Sequence, residues 1–324
     1  MNAFGSFKKR FSGSNKNASD DDLPDDDPGS EEHQQKKNAK LLSNRLKQIF
    51  GSPNYRPPLL PEAASKILEL SRQPNIAVDE VVKVLEQDPM LTARVLKISN
   101  SAMYSGRNRI ESLQQAVVRL GLNNLRDIVM DVALSMRIFR TPGYSEVMDR
   151  VRRHSIVTAL CCRTVSKYTS MAGEFAFLCG LLHDIGVAAA LIAISESSKK
   201  SDRPAIDGLW PAIQGIHEQA AGMLAQAWKL PPELKLVIGH HHQVHLGGVV
   251  HPLLATLCIG ETMATMLGYG IAGENAPAVA LDGRKMDERS PTAYDEAARA
   301  LNLTPQTQKM IRKETEDLIV LSDI

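Results

Sequence analysis

Aromatic residues are scarce in this chain: they make up 5% of its 324 positions, while Ala, Leu, Val and Ile are plentiful. Such a mix poorly supplies a β-sandwich, whose strands draw on aromatic and β-branched side chains. It suits helices packed through aliphatic side chains. Cysteine is also sparse. Cys161, Cys162, Cys179 and Cys258 include no C-x-x-C pair, which argues against a disulfide framework or a zinc ribbon and fits a reduced, cytoplasmic setting. Net charge is nearly absent, at +1 from 38 basic and 37 acidic residues, so the general basic footprint of a nucleic-acid binder is missing. No run of 18 uncharged apolar residues occurs. The longest apolar stretch, 175–194, is interrupted by His183 and Asp184, and no apolar segment follows the basic residues near the N-terminus. Neither a membrane span nor a secretory leader is expected. The chain also lacks internal repeats, a heptad series and any useful length of alternating strand pattern, which leaves an all-α protein.

What is present begins with charge. Residues 1–40 carry seven Lys/Arg and eight Asp/Glu, including Asp20–Asp22 and Asp25–Asp27. Blocks of like charge with few apolar residues cannot bury enough surface to offset ordering, so this stretch reads as a tail dispensable for folding. It is read as a solvated tail, with an electrostatic tether as the alternative. A short amphipathic segment at 41–50 follows, with Leu42, Leu46, Ile49 and Phe50 on one side. The tail is thus assigned to 1–52 and the folded domain to 53–324, with ordered structure starting near Pro57. Within the domain the pattern predicts an N-terminal helical lobe at about 53–140, a second at about 145–268, a long loop over 270–292 and closing helices within 293–321. Helix boundaries are signalled by Asp88-Pro89 and Thr304-Pro305, where a capping side chain precedes a proline suited to the first turn. Gly121 reads as a helix stop, and Asn123 or Asn124 as the next cap.

The chemistry concentrates around His183-Asp184. These two residues sit in a segment apolar on nearly all sides, which is the signature of a buried helix. An ionised Asp there costs several kcal/mol unless it is paired or bound to metal. One His-Asp dipeptide leaves both readings open, a hydrogen-bonded core pair or a metal ligand. The other histidines add weight to the second. His154 lies one predicted helix earlier, His217 opens the following one with Glu218 beside it, and His240, His241 and His242 end the next. Four successive helices can therefore aim imidazoles into one interior site, as metal sites in helical bundles do. Successive residues point about 100° apart on a helix, so at most two of the three adjacent histidines can serve it. Asn100, Ser101 and Tyr104, where a helix ends, read as a cap and turn or as a polar patch between lobes. The methionines read as core filler.

With these motifs in view, the chain resembles the HD superfamily. The resemblance rests on His154, Leu-Leu-His183-Asp184-Ile-Gly, His217-Glu-x-x-x-Gly-x-x-Leu, Trp-x-Leu-Pro and Ile-x-x-His-His. The N-terminal half narrows it to the HDOD domain, through Leu59-Leu60-Pro61, Asp88-Pro89-x-Leu-Thr-x-x-Val-Leu, Ser99-Asn100-Ser101-Ala-x-Tyr104 and Ala116-Val-x-x-Leu-Gly121. The resemblance spans about 57–265 and implies a two-lobed all-α fold. By register it implies His154, His183, Asp184, His217, His241 and His242 as metal ligands, with His240 and Glu261 as further candidates. Fe, Mn, Zn or Ni would suit such an imidazole–carboxylate set. HDOD domains are regarded as non-catalytic signalling modules related to the HD-GYP phosphodiesterases. Two departures here speak against catalysis of the latter kind: Val187 stands where a lysine is usual, and the Gly-Tyr-Pro loop is absent after His242. The resemblance thus implies a cytoplasmic signal-transduction module acting through protein partners, with no catalytic residue assigned. The alternative is a metal-dependent phosphohydrolase acting on a nucleotide or cyclic dinucleotide.

Overall fold

The computed structural model describes residues 31–73, 75–104, 106, 108–170, 174–197, 206–271 and 293–322, with side chains from residue 37 onward and excepting Asp207. Among these residues the protein is helical apart from one two-residue hairpin, His245–Leu246 paired antiparallel with Val249–Val250. The N-terminal lobe comprises α2 (Glu62–Leu70), α3 (Val78–Glu86), α4 (Pro89–Ser99) and α5 (Leu113–Arg137). The second lobe holds α6 (Ser145–Lys167), α7 (Ala176–Leu182), α8 (Ile185–Ser197), α9 (Ile206–Gln214), α10 (His217–Ala227), α11 (Pro232–Ile238) and α12 (Pro252–Met266). Helices α13 (Ala293–Ala300) and α14 (Pro305–Leu321) close the chain, α13 against α12 and α14 against α6.

Local chemistry explains several boundaries. Asp88 accepts from Leu91 N–H at 3.0 Å and Pro89 fills the first turn of α4. Thr304 accepts from Thr307 N–H at 3.1 Å ahead of Pro305. Gly121, at φ 73°, breaks the long α5, a left-handed conformation that suits glycine. The cap expected at Asn123 or Asn124 works in the other direction. Asn124 Nδ2 donates to Leu120 O at 2.8 Å and so closes the preceding turn. Asn100 is a structural clamp: its side chain donates to Leu96 O and Ile110 O and accepts from Ile110 N–H, tying the end of α4 to the start of the next segment.

Helix α5 joins the lobes, packing on α2, α3 and α4 and also on α7. Its Arg126 is 1% exposed; it donates twice to Asp127 and reaches across to Glu174. Two further polar pins cross the interface, Arg163 Nη1 to Tyr104 OH at 2.9 Å and Trp228 Nε1 to Pro58 O at 2.7 Å. The segment Ala176–Ser197 is long and apolar enough to cross a membrane by length and composition, yet 94% of its 18-residue apolar window is buried inside the protein, where it forms the core of the second lobe.

The structure corrects two readings. Ordered structure begins well before Pro57: α1 spans Glu31–Gly51 and packs on α8 and α9, with Leu46 fully buried and Phe50 nearly so. The apolar stripe of 41–50 is thus a docking face, and its second-lobe partners supply the apolar cover that the charged surroundings lack. The remainder of the charged tail, 1–30, and most of the expected loop, 272–292, lie outside the described residues. Second, the apolar segment read as one helix is two, because α7 ends at Leu182 and α8 starts at Ile185.

Docking of α1 carries its own prediction. Leu46→Ala should cost about 2–5 kcal/mol, since a fully buried leucine loses transfer energy and leaves a cavity. Thermal unfolding and limited proteolysis check it. A variant as stable and as protease-resistant as wild type would mean that α1 does not hold to the second lobe.

Candidate metal centre

Four helices and two turns converge on one interior point. His154 comes from α6, His183 from the C-terminal end of α7, Asp184 from the turn before α8, and His217 from the first position of α10. His241 and His242 follow α11, and Glu261 lies on α12. The local backbone makes this possible. Val187 N–H bonds back to Asp184 O, three residues earlier, so the chain turns tightly between α7 and α8. That turn lets two adjacent residues aim at the same place, His183 Nε2 lying 3.1 Å from Asp184 Oδ2. The turn after α11 does the same for His241 and His242, whose rings lie 4.2 Å apart. His240 points elsewhere, with Nδ1 bonded to Leu236 O, and takes no part in the cluster.

Close helix packing holds the pieces together. A Cβ on Gly186 would stand 1.8 Å from His217 O and 2.7 Å from Ala221 N, so α8 and α10 touch through bare backbone there. A Cβ on Gly180 would stand 2.6 Å from the Ala159 Cα, so α7 and α6 also meet through bare backbone. These contacts set His217 against Asp184 and His183 against His154. Sequence reasoning missed both glycines. The available signal was a glycine inside an otherwise Ala- and Leu-rich buried helix, which usually has a packing reason.

The donor atoms fall into two groups bridged by one carboxylate. His154 Nε2 and His183 Nε2 are 3.3 Å apart and face Asp184 Oδ2, at 3.6 and 3.1 Å. His217 Nε2 and His241 Nε2 are 3.1 Å apart and both face Asp184 Oδ1 at 3.5 Å. Glu261 completes the first group and His242 the second, with His242 Nε2 2.7 Å from His217 Nε2. Two nitrogens each about 2.1 Å from one ion, at right-angled or tetrahedral spacing, lie about 3.0–3.4 Å from each other. The His154–His183 and His217–His241 pairs match that separation, and His242 stands closer to His217, at 2.7 Å.

Protonation sharpens the argument. Four imidazoles direct Nδ1 to a backbone carbonyl: His154 to Tyr269 O, His183 to Gly180 O and His217 to Gln214 O, all at 2.8 Å, and His241 to Ile238 O at 2.9 Å. A carbonyl only accepts, so each Nδ1 carries the proton and each neutral ring presents a bare Nε2 to the centre. Bare nitrogens facing one another at such distances repel unless a cation sits between them, either a proton or a metal ion. The electrostatics agree. Burial draws His154 down to about 4. Burial also opposes charge on His183, but the adjoining Asp184 and the nearby Glu261 overcome it and lift this ring to about 9. For Asp184 burial pushes upward, yet His183 and the bonds from its neighbours hold it well below the carboxylate range. His242 is drawn to about 3 by burial and by its neighbours His241 and His217. Burial raises Glu261 to about 7, and its Oε2 is buried with no hydrogen-bond partner. A buried carboxylate oxygen without a hydrogen-bond partner, beside two imidazoles, makes a donor set that a divalent cation fits.

His154, His183, Asp184, His217 and His241 are each at most 6% exposed. Val187, in the first turn of α8, is 2% exposed and offers no donor. The four cysteines are free and buried, and burial pushes the thiols of Cys161, Cys162, Cys179 and Cys258 up, so none is poised as a nucleophile or thiolate ligand.

The profile of the HDOD domain family matches residues 58–244. A curated but uncharacterised protein of Treponema pallidum (strain Nichols) is 25% identical over 232 residues, covering 67% of this chain and 44% of its own length. The chain spans less than half the length of the curated relatives it matches. Among solved structures, a candidate metal-dependent phosphohydrolase from Shewanella amazonensis SB2B superposes with a TM-score of 0.61 at 22% identity, covering 86% of this chain and 99% of that one. A candidate signal transduction protein from Marinobacter aquaeolei VT8 gives 0.60 at 22% identity, covering 90% and 64%. At that level of identity the two structures share the fold.

Proposed function

The chain belongs to the HDOD domain family, and from that membership and its buried donor set we propose that it is a signal-transduction module that holds divalent metal and acts by binding other proteins. The observation that carries this reading is the pairing of a full ligand set with near-complete enclosure. Five of its donors are at most 6% exposed, which suits a resident ion better than one that must meet a substrate each turnover. His154, His183 and Glu261 would hold one ion, His217, His241 and His242 a second, and Asp184 would span both. Iron, manganese, zinc or nickel suits these donors. Four unpaired buried thiols fit a reducing, cytoplasmic location.

One observation favours a second reading, a metal-dependent phosphohydrolase acting on a nucleotide or cyclic dinucleotide. Asp184 presents one oxygen to each histidine group, the layout of centres in which a metal pair polarises phosphate and activates water. Against it stands Val187. A leaving oxygen needs charge compensation, and loss of one such donor costs on the order of 100–1,000-fold in rate.

Metal content of the purified protein, measured alongside hydrolysis of a phosphodiester panel by wild type, Val187→Lys and Asp184→Ala, separates the two. We expect bound metal with little or no turnover of cyclic dinucleotides in wild type. Rapid wild-type turnover lost in Asp184→Ala would replace the signalling reading with the hydrolase. Turnover confined to Val187→Lys would mark a centre that keeps its metal chemistry and lacks its acid.

A further inference from the structure

Between the lobes, away from the metal centre, lies a half-open cleft of about 480 Å³, within the roughly 300–1,000 Å³ typical of small-ligand sites. Helices α4 and α5 form one wall, and α6 and α7 form the other. Its floor holds two carboxylates one helical turn apart on α5. Asp127 is 4% exposed, and both bonds it accepts from Arg126 end on Oδ1. Its Oδ2 has no hydrogen-bond partner among the described residues. Asp131 accepts one long bond, from Ser135 Oγ at 3.4 Å, also on Oδ1. Burial raises both acids to about 6, against the pull of Arg126 on the first and Arg152 on the second. Two buried acids with unused acceptor oxygens call for N–H donors.

The same cleft carries further positive charge. Arg152, which draws Asp131 down, is also tied to Asp149 at 3.3 Å. Arg94 and Arg140 line the cleft with no ion pair or hydrogen bond among the described residues. A purely cationic ligand, such as a polyamine or a partner's arginine, would meet Arg94 and Arg140 as repulsion. The matching ligand carries donors at one end and an anion at the other, with a flat apolar body to lie along Ile98, Ile128 and Phe139.

We propose that this cleft is a binding site for a guanine nucleotide. The Watson–Crick edge of guanine aligns N1–H and N2–H donors, which one carboxylate accepts side by side. The phosphate then faces the Arg94 and Arg140 guanidinium groups, which suit it by geometry and charge. Adenine presents an acceptor nitrogen where guanine presents N1–H, so the same carboxylate would repel it. Bound there, the nucleotide bridges α4 and α5 to α6, and its occupancy would bias how the two lobes meet.

Calorimetric titration of the full chain with guanosine 5′-monophosphate (GMP) tests this, with adenosine 5′-monophosphate (AMP) and arginine amide as competitors. GMP should bind, and AMP should bind about tenfold more weakly or worse, since a charge-assisted donor–acceptor pair is worth about ten- to a hundredfold in affinity. Asp131→Asn should weaken GMP by a similar factor. Arg94→Gln should weaken GMP while leaving guanosine unchanged, because only the nucleotide carries the phosphate. Arg94 and Asp131 are both half-buried in the cleft wall, and Asp131→Asn removes a carboxyl whose charge burial already opposes, so the melting temperature should hold. GMP binding should also survive treatment with EDTA. Equal binding of GMP and AMP, tighter binding of arginine amide, no heat with GMP at millimolar concentration, or loss of binding on chelation would each overturn the proposal.

Discussion

Gly186→Ala is expected to destabilise the protein by about 3 kcal/mol or more and to empty part of the metal centre in the same variant, at the upper end of what overpacking costs. The added methyl would meet the His217 carbonyl at 1.8 Å. That oxygen is backbone, so the clash cannot be relieved by a rotamer change. Helices α8 and α10 must part by more than an ångström to reach ordinary contact distance. His217 then withdraws from Asp184 and His241, now 3.5 and 3.1 Å from its Nε2. Metal–imidazole bonds tolerate only a few tenths of an ångström, so the His217 group should lose its ion first. Gly222→Ala, on α10 itself, is the matched control. Its new methyl would find the nearest atom at 3.6 Å, an ordinary contact. It should be neutral, or stabilising by a few tenths of a kcal/mol to about 1 kcal/mol from helix propensity. Denaturant unfolding and metal analysis of the two variants form the test. A Gly186→Ala protein with wild-type stability and full metal would show that this close approach does not position His217.

How much of this was legible beforehand depends on where the signal resides. Helix ends with side-chain grammar were readable: Asp88-Pro89, Thr304-Pro305 and the Gly121 stop act within three or four residues. The break after Leu182 was hidden, because His183 and Asp184 continue a run whose hydrophobicity gives no phase to lose. Helix α9 was missed because Pro211 sits inside it, and proline ordinarily argues against a helix interior. The burial of α1 was hidden because its cover comes from α8 and α9, more than 130 residues away in sequence. At the centre, the donor side chains could be named from their order along the chain. The carbonyls of Tyr269, Gly180, Gln214 and Ile238 that orient them could not, since a backbone oxygen belongs to every residue and only the fold selects which one faces an imidazole. The interlobe cleft was equally invisible. Asp127 and Asp131 look like the polar face of a helix until α6 and α7 cover them.

Asp184→Ala is expected to remove the stabilising effect of added metal altogether. In wild type, manganese or zinc at about a hundred times its dissociation constant should add about 2.7 kcal/mol to unfolding, and about 4.1 kcal/mol at a thousand times. Both increments depend on Asp184, among the described residues the only one with an oxygen facing each histidine group. The metal-free protein should suffer as well. There Asp184 is the counterion of His183, and losing one partner of a buried ion pair costs about 3–5 kcal/mol. With the carboxylate gone, His183 loses the main support for its charge and should become neutral. Its bare Nε2 would then face that of His154 at 3.3 Å with no cation between them. Asp184→Asn separates the two effects, since it keeps the shape and a hydrogen-bonding oxygen and loses the charge. It should recover part of the metal-free stability and little of the metal response. The measurement is the shift in melting temperature on adding metal to EDTA-treated protein, for wild type and both variants. A full wild-type shift in Asp184→Ala would mean that each histidine group binds without a bridging carboxylate. No shift in wild type would mean that protons alone balance the cluster, with His183 and Asp184 as a buried ion pair at its heart.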